Sequence, residues 1–336
     1  MKGATARIGL IGYGFIAQKH IEVFRALGAE VVATCNRSEA KRREARERWG
    51  IAAGYSDPLE MADREQPDAL LLTAGIEAVA PLARTLLPLH LPMLIEKPPG
   101  LSLEETRGLA ALAREHGTPA MVGLNRRFYS VYHRALERMG GRGAVTGVNV
   151  EWSEDPPGLL AAGVPAEQIP LYVYANSLHG VDLLPFFAGA IPSPAVWGRD
   201  LDPAGGQYRW QMALDGVAER GARVHFASNW DVPGRWRLVV DAPDARMVSA
   251  PLETALILAR GKGVEEVSPS DEDKRFKPGF HGQAAFFLEV VRDGRPVEWP
   301  ACGLPEALPG MEICERLTRA VRDGAMDNVQ PFKEEI

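Results

Sequence analysis

Apolar residues follow two rhythms along this chain. Up to about residue 122, short apolar runs alternate with longer stretches of helical period. The runs are Ile8-Gly9-Leu10-Ile11, Val31-Val32-Ala33, Leu70-Leu71-Leu72, Met93-Leu94-Ile95 and Met121-Val122. Continuous apolar runs of this length fit parallel strands buried on both faces. Helical period predicts helices over about 15–27, 39–49, 79–87 and 103–116. Ser102 is the expected cap of the last, with Glu105 at the capping-box position. Repeated strand–helix units mean a right-handed, mostly parallel sheet with helices on both faces.

Beyond about residue 140 the period becomes two. Val145 to Trp152, Arg223 to Phe226 and Trp236 to Val240 alternate apolar and polar positions. That pattern predicts antiparallel strands with one wetter face. Helices are expected over about 172–187, 280–292 and 304–323. Residues 154–170 are rich in Pro, Gly and Ala and read as a long loop. The predicted fold class is α/β. It has an N-terminal Rossmann-type doubly wound parallel sheet and a C-terminal α+β domain with a large, open, mostly antiparallel sheet. The boundary is placed between domains 1–122 and 123–336. The uncovered face of the second sheet is the candidate surface for a homodimer or homotetramer.

The join of the first strand and first helix carries chemistry. Arg7-Ile8-Gly9-Leu10-Ile11 runs into Gly12-Tyr13-Gly14-Phe15-Ile16-Ala17, a G-x-G-x-x-A turn. Gly12 allows the turn, Gly14 lets backbone approach a pyrophosphate, and Ala17 lets helix and strand pack closely. The helix start at Phe15 and Ile16 offers unpaired N–H groups and a positive dipole end to phosphates. S-adenosylmethionine binding is the rival. It usually places an acid two residues before the first glycine, where this chain has Leu10.

A dinucleotide is therefore the expected cofactor. The second strand ends in Cys35-Asn36-Arg37-Ser38, with no acid for the ribose hydroxyls. Asn36, Arg37 and Ser38, with Lys41 and Arg42 behind, suit a 2′-phosphate, which favours NADP over NAD. Arg37 stacking on adenine is the other reading and fits either cofactor.

The chain has 336 residues, 46% hydrophobic and 24% charged, with a net charge of −6. The acidic balance argues against a nucleic-acid surface. No run approaches the roughly eighteen apolar residues of a membrane helix. Cys35, Cys302 and Cys314 have no metal-binding spacing and are odd in number, so a cytoplasmic setting and no metal are expected.

Leu94-Ile95-Glu96-Lys97-Pro98 closes a predicted parallel strand at its carboxyl end, where open α/β sheets bind ligands. A lysine there can donate to a substrate oxygen or move a proton. A solvated loop lysine is the plain alternative.

Taken in order, the glycine turn, Glu96-Lys97-Pro98, Asn125-Arg126-Arg127-Phe128 and a later helix with His179 and Asp182 resemble the glucose-fructose oxidoreductase/inositol dehydrogenase (Gfo/Idh/MocA) family. The resemblance implies hydride transfer between nicotinamide and a carbinol carbon of a sugar, cyclitol or related polyol. It implies that Lys97 touches the reacting oxygen and that His179 serves as acid/base. Thr73, Glu96, Lys97 and Asn125 would lie beside the cofactor. Arg127 would stand near the substrate, more to fix the wall of the site than to do chemistry.

The chain departs from the family in one telling place. Members often carry Asp-x-x-x-His on this helix, whereas Ala175 stands four before His179. Asn176 can hydrogen-bond but not titrate, and Asp182 lies on a neighbouring face. Three arrangements stay open: His179 acts alone, leans on Asp182, or is not the base. Tyr172 and Tyr174, at the start of this helix, can bind a sugar or simply pack. His20 is expected on a solvated or inter-domain side of the first helix, with no role. Two other functions stay open. One is glycoside cleavage through transient oxidation by a tightly bound cofactor. The other is a non-catalytic NAD(P)-binding regulatory protein.

Overall fold

The structure, a computed structural model, describes residues 5–234, 236–324 and 326–327. The chain forms two units, Met1–Ser130 with Pro269–Leu308 and Val131–Ser268 with Pro309–Ile336. The first begins with β1 (Arg7–Ile11), α1 (Phe15–Ala26), β2 (Glu30–Cys35), α2 (Glu39–Trp49), β3 (Ala53–Tyr55) and α3 (Pro58–Glu65). It continues with β4 (Ala69–Leu72), α4 (Ile76–Leu86), β5 (Met93–Ile95), α5 (Leu103–Glu115) and β6 (Ala120–Val122).

The six strands make one parallel sheet in the order β3-β2-β1-β4-β5-β6. The order reverses between β1 and β4, which makes that gap the switch point where such sheets bind ligands. Leu10, Leu70 to Leu72 and Met93 to Ile95 are buried, which is why these strands carry no alternation. Helix starts are marked by short polar side chains. Ser38 accepts from the Lys41 N–H and Asp57 from the Leu59 N–H. At α5, Ser102 accepts from the Glu105 N–H at 3.1 Å, as its spacing predicts. The Glu105 carboxylate turns instead to the Leu101 N–H at 2.7 Å, one residue before the cap.

Then come α6 (Ser130–Arg138), β7 (Gly147–Glu151), α7 (Pro156–Ala161), α8 (Leu178–Ala188), β8 (Ala195–Asp200), β9 (Trp210–Val217) and β10 (Arg223–Asn229). After them follow β11 (Arg237–Ala242), β12 (Ala245–Ser249), β13 (Ala255–Ala259) and β14 (Gly263–Val267). The chain closes with α9 (Asp271–Arg275), α10 (Phe280–Asp293), α11 (Leu304–Asp323) and β15 (Met326–Asp327).

The sequence boundary at 122/123 puts residues 269–308 in the second domain. In the structure that stretch packs with the first unit. Phe287 of α10 meets Phe24 of α1 edge-on at 6.2 Å, and Phe286 meets Phe128 at 5.9 Å. Local period announces α10 as a helix, but only a partner face decides which core it covers. Residues 328–336, the expected end of the second domain, lie outside the described residues.

The second unit holds a nine-stranded sheet in the order β14-β13-β12-β11-β7-β10-β9-β8-β15. Among its described strands only β7 and β10 pair parallel. Helix α8 covers β7 and β10, burying Val148, Val150, Val224 and Phe226. On β13 and β14, Leu256, Leu258 and Val264 point outward and stay exposed, with Leu258 opposite Val264.

Two local expectations change. Residues 154–170 are not one loop but hold α7 and a 3-10 turn at Ala166–Leu171. Asp155 caps α7 by accepting from the Gly158 N–H. The helix expected over 172–187 opens with a π turn at Val173–Ser177 before α8 begins. Widened turns of this kind often occur at functional sites.

Candidate functional site

In the first unit, the glycine turn closes around a cavity of about 550 Å³. Its lining includes Gly12 to Gly14, Cys35 to Arg37 and Thr73 to Gly75, at the carboxyl ends of β1, β2 and β4. Gly12 has φ +88°. A Cβ there would lie 2.7 Å from the Thr73 carbonyl and the Ala74 nitrogen. The turn is also tied on both sides: the Gly12 N–H donates to the Cys35 carbonyl at 2.9 Å, and Thr73 Oγ1 donates to the Gly12 carbonyl at 2.9 Å. Gly14 is different, with no atom within 4 Å of the place a Cβ would take. It precedes α1, which has no side-chain cap and no acid in its first turn. The N–H groups of Phe15 and Ile16 therefore start a bare, positive helix end. An open cradle before an uncapped helix fits a pyrophosphate.

At the tip of β2, Asn36 Oδ1 accepts from the Ser38 N–H at 3.0 Å. Arg42 is turned back onto the Asn36 and Arg37 carbonyls, at 2.6 and 3.0 Å. Lys41 pairs with Glu44 at 2.9 Å. Arg37 is exposed at the cavity wall, and among the described residues its guanidinium has no hydrogen bond or ion pair. No acid replaces Asn36 at this tip, so the residues present fit either nicotinamide dinucleotide.

Three strands along the same sheet from β2, β5 delivers Glu96 and Lys97 at its carboxyl end. Glu96 is buried. One carboxylate oxygen bonds His20 Nε2 at 2.8 Å, and the other accepts the Lys97 N–H at 3.1 Å. The Glu96 N–H donates to the Leu72 carbonyl at 2.9 Å. A Cβ at Gly123 would lie 3.0 Å from the Glu96 carboxyl carbon, so glycine leaves room for this side chain. The backbone of half-buried Lys97 is thus held from several directions.

His20 overturns its expected placement. It is fully buried, with its ring 4.6 Å from that of Phe280. Its signal was present in the helical spacing, since Ala17, Ile21 and Phe24 on the same stripe are buried as well. Asn125 and Arg127 tie in the returning stretch of this unit. Asn125 Nδ2 donates to the Pro278 carbonyl at 2.9 Å, and Arg127 Nη1 donates to the Ala301 carbonyl at 3.0 Å. Both are buried.

In the second unit, α8 carries buried His179 and Asp182. The ring of Trp152 lies 6.4 Å from that of His179 and stacks on Trp236 at 4.3 Å. Gly180 makes this packing possible, because a Cβ there would lie 2.5 Å from the Trp152 ring. Trp152 Nε1 donates to Glu154 at 2.9 Å, and Asn176 and Ser177 of the π turn donate to the same carboxylate. Sequence reasoning passed over Glu154, because nothing local links it to residues 22 positions later. It lines a cavity of about 950 Å³ with Asp155, Trp230, Asp231 and Trp236. Burial, then the nearby Glu154 charge, raises the Tyr172 hydroxyl above its usual range. Tyr174 packs toward α11, where burial first of all pushes it up to about 12. Among the described residues no cluster of His, Cys, Asp and Glu is built to hold a metal. No helix among them is long and apolar enough to cross a membrane.

Comparison with known proteins agrees with this geometry. Residues 6–124 match a family described as oxidoreductases with an NAD-binding Rossmann fold. A D-apiose dehydrogenase from Paraburkholderia graminis is 33% identical over 124 residues, covering 35% of this chain and 32% of the relative. A myo-inositol dehydrogenase from Streptomyces leeuwenhoekii is 30% identical over 121 residues, covering 36% and 37%. The chain thus spans about a third of the length of these curated relatives. The crystal structure of a dehydrogenase from Chromobacterium violaceum shares the fold, with TM-score 0.82 and 15% identity over 96% of this chain and 97% of that one. The family match covers the stretch that carries the glycine turn and Glu96-Lys97-Pro98, and it is to that NAD-binding Rossmann domain of an oxidoreductase family that this part of the chain is similar.

Proposed function

We propose that this protein is an NAD(P)-dependent oxidoreductase acting on a carbinol carbon of a sugar, cyclitol or related polyol. The observation that carries the reading is one sheet that offers both the Gly12–Gly14 cradle and a backbone-clamped Lys97 at its carboxyl edge. The relatives named for apiose and inositol support the substrate class. So does the second unit's cavity, whose tryptophans suit the apolar face of a sugar and whose carboxylates suit its hydroxyls.

Gly12, Gly14, Phe15, Ile16, Thr73 and Asn125 would hold or frame the dinucleotide. When bound, its nicotinamide supplies a site that takes or gives hydride. The Lys97 ammonium donates a hydrogen bond to the substrate oxygen and stabilises negative charge building there. His179 takes the hydroxyl proton on oxidation and returns it on reduction. Arg127, Tyr172, Asn176 and Asp182 are the proposed surroundings of the substrate, with Asn176 held by Glu154. The three described cysteines are free and buried, in keeping with the proposed cytoplasmic setting. The outward face at Leu256, Leu258 and Val264 is the proposed self-association surface of a dimer or tetramer. Leu258→Glu is expected to yield a smaller species in light scattering; an unchanged mass would move the interface elsewhere.

The test is equilibrium binding of NADPH and NADH to nucleotide-stripped protein, followed by nicotinamide absorbance with a panel of polyols. Binding with net turnover supports the reading, and binding of neither nucleotide removes it. Arg37 is proposed to favour NADP. Loss of a charge-assisted bond makes Arg37→Ala weaken NADPH about ten- to hundredfold while NADH stays within about threefold. Equal weakening of both would show that Arg37 only stacks on adenine.

A further inference from the structure

One carboxylate of the second unit is built into the turn that carries His179. Glu154 is 7% exposed. Its Oε1 accepts from Trp152 Nε1 at 2.9 Å and from Ser177 Oγ at 3.0 Å. Its Oε2 accepts from Asn176 Nδ2 at 2.8 Å. Asn176 and Ser177 stand three and two residues before His179, in the π turn. Trp152 reaches from the other side, bonding Glu154 through its nitrogen and lying near the His179 ring. Three neutral donors from two segments converge on this one acid. On the histidine's own helix, the place one turn back is apolar Ala175.

We infer that Glu154 is the positioning residue of His179: it fixes the turn before the imidazole and supplies the negative charge that lets it carry a proton. This rests on the acid/base reading of His179 above. Asp182, also a carboxylate, stands three residues after His179 on α8 itself. Cys314 on α11 faces Asp182, and burial pushes that thiol well up, so it stays neutral. Tyr174, with Glu315 beyond it, is also held protonated. Strands β7 and β10 present apolar Val148, Val150, Val224 and Phe226 beneath the helix. Arg142 and Arg220 bond carbonyls at Pro185, Phe187 and Ala188, at the far end of α8. A negative charge beside an imidazole stabilises its protonated form and raises its pKa.

The experiment is an NMR titration of the His179 ring in the cofactor-free full chain, for wild type, Glu154→Gln and Asp182→Asn. Glu154→Gln keeps the size of the side chain and removes its charge. It is expected to lower the His179 midpoint by about one pH unit, about tenfold in proton affinity. The pH profile of turnover should move the same way. A midpoint within about 0.2 unit of wild type overturns the inference, as does a shift produced by Asp182→Asn alone. If Glu154→Gln does not fold, Asn176→Ala and Ser177→Ala loosen the carboxylate while keeping its charge. A moved midpoint then supports the link, and an unmoved one overturns it. A wild type that titrates as expected but oxidises no polyol leaves the link standing and removes the oxidoreductase reading instead.

Discussion

Lys97→Met is expected to lower kcat/KM by about a hundred- to ten-thousandfold, with NAD(P)H affinity unchanged within about threefold. Methionine keeps the length and the apolar stem but donates no hydrogen bond. The backbone of Lys97 does not depend on its side chain. It is held by the Glu96 carboxylate on its N–H and, through Glu96, by His20 and the Leu72 carbonyl. The variant therefore isolates the ammonium group. If that group stabilises charge on the substrate oxygen, the loss falls on the chemical step rather than on binding. Steady-state kinetics beside a fluorescence titration of the cofactor separate the two. Full turnover in Lys97→Met would remove the lysine from the mechanism. No turnover in wild type, with cofactor still bound, would turn attention to a regulatory protein and to Ala175 as its sign.

Gly12→Ala should damage the protein before any ligand is added. The new Cβ would meet the Thr73 carbonyl and the Ala74 nitrogen at 2.7 Å, all backbone atoms just past the end of β4. At φ +88° a side chain is strained in any case. Neither β1 nor the β4 end can retreat easily, because the Gly12 N–H is bonded to Cys35 and the Thr73 N–H to the Ile11 carbonyl. Strain and overpacking together cost about 2–4 kcal/mol. A fall in melting temperature of several degrees is expected, with dinucleotide binding lost. Gly14→Ala is the paired control. Nothing lies near its Cβ position and its backbone is extended, with φ −127°. It should melt like wild type and weaken only the dinucleotide, by crowding the pyrophosphate. If both variants melt like wild type, the turn is looser than its bonds imply. If Gly14→Ala also binds normally, the pyrophosphate lies elsewhere.

The glycine turn, the strand tips and Glu96-Lys97-Pro98 were legible because their chemistry is local. Each needs a few adjacent residues in one order, at the end of a strand whose apolar run is itself a signal. The charged tip after β2 was readable as composition but not as geometry. Asn36, Arg37, Ser38, Lys41 and Arg42 look alike as a polar cluster, yet only Arg37 faces the cavity with its guanidinium uncommitted. The residues 269–308 defeated a boundary drawn from period alone, since α10 joins the first core through Phe286 and Phe287.

The sequence by itself determined the parallel sheet, the dinucleotide turn, the placement of Lys97 on a strand end and the change of period near residue 140. These follow from the spacing of apolar side chains and from the steric freedom of glycine, which act over a few residues. Only the tertiary structure decided which distant groups meet. It brought His20 beneath Glu96 from 76 positions away and Glu154 beneath Asn176 and Ser177 from 22 and 23. A buried carboxylate must find donors, but which donors reach it depends on how strands and helices pack, and no local pattern in the chain records that.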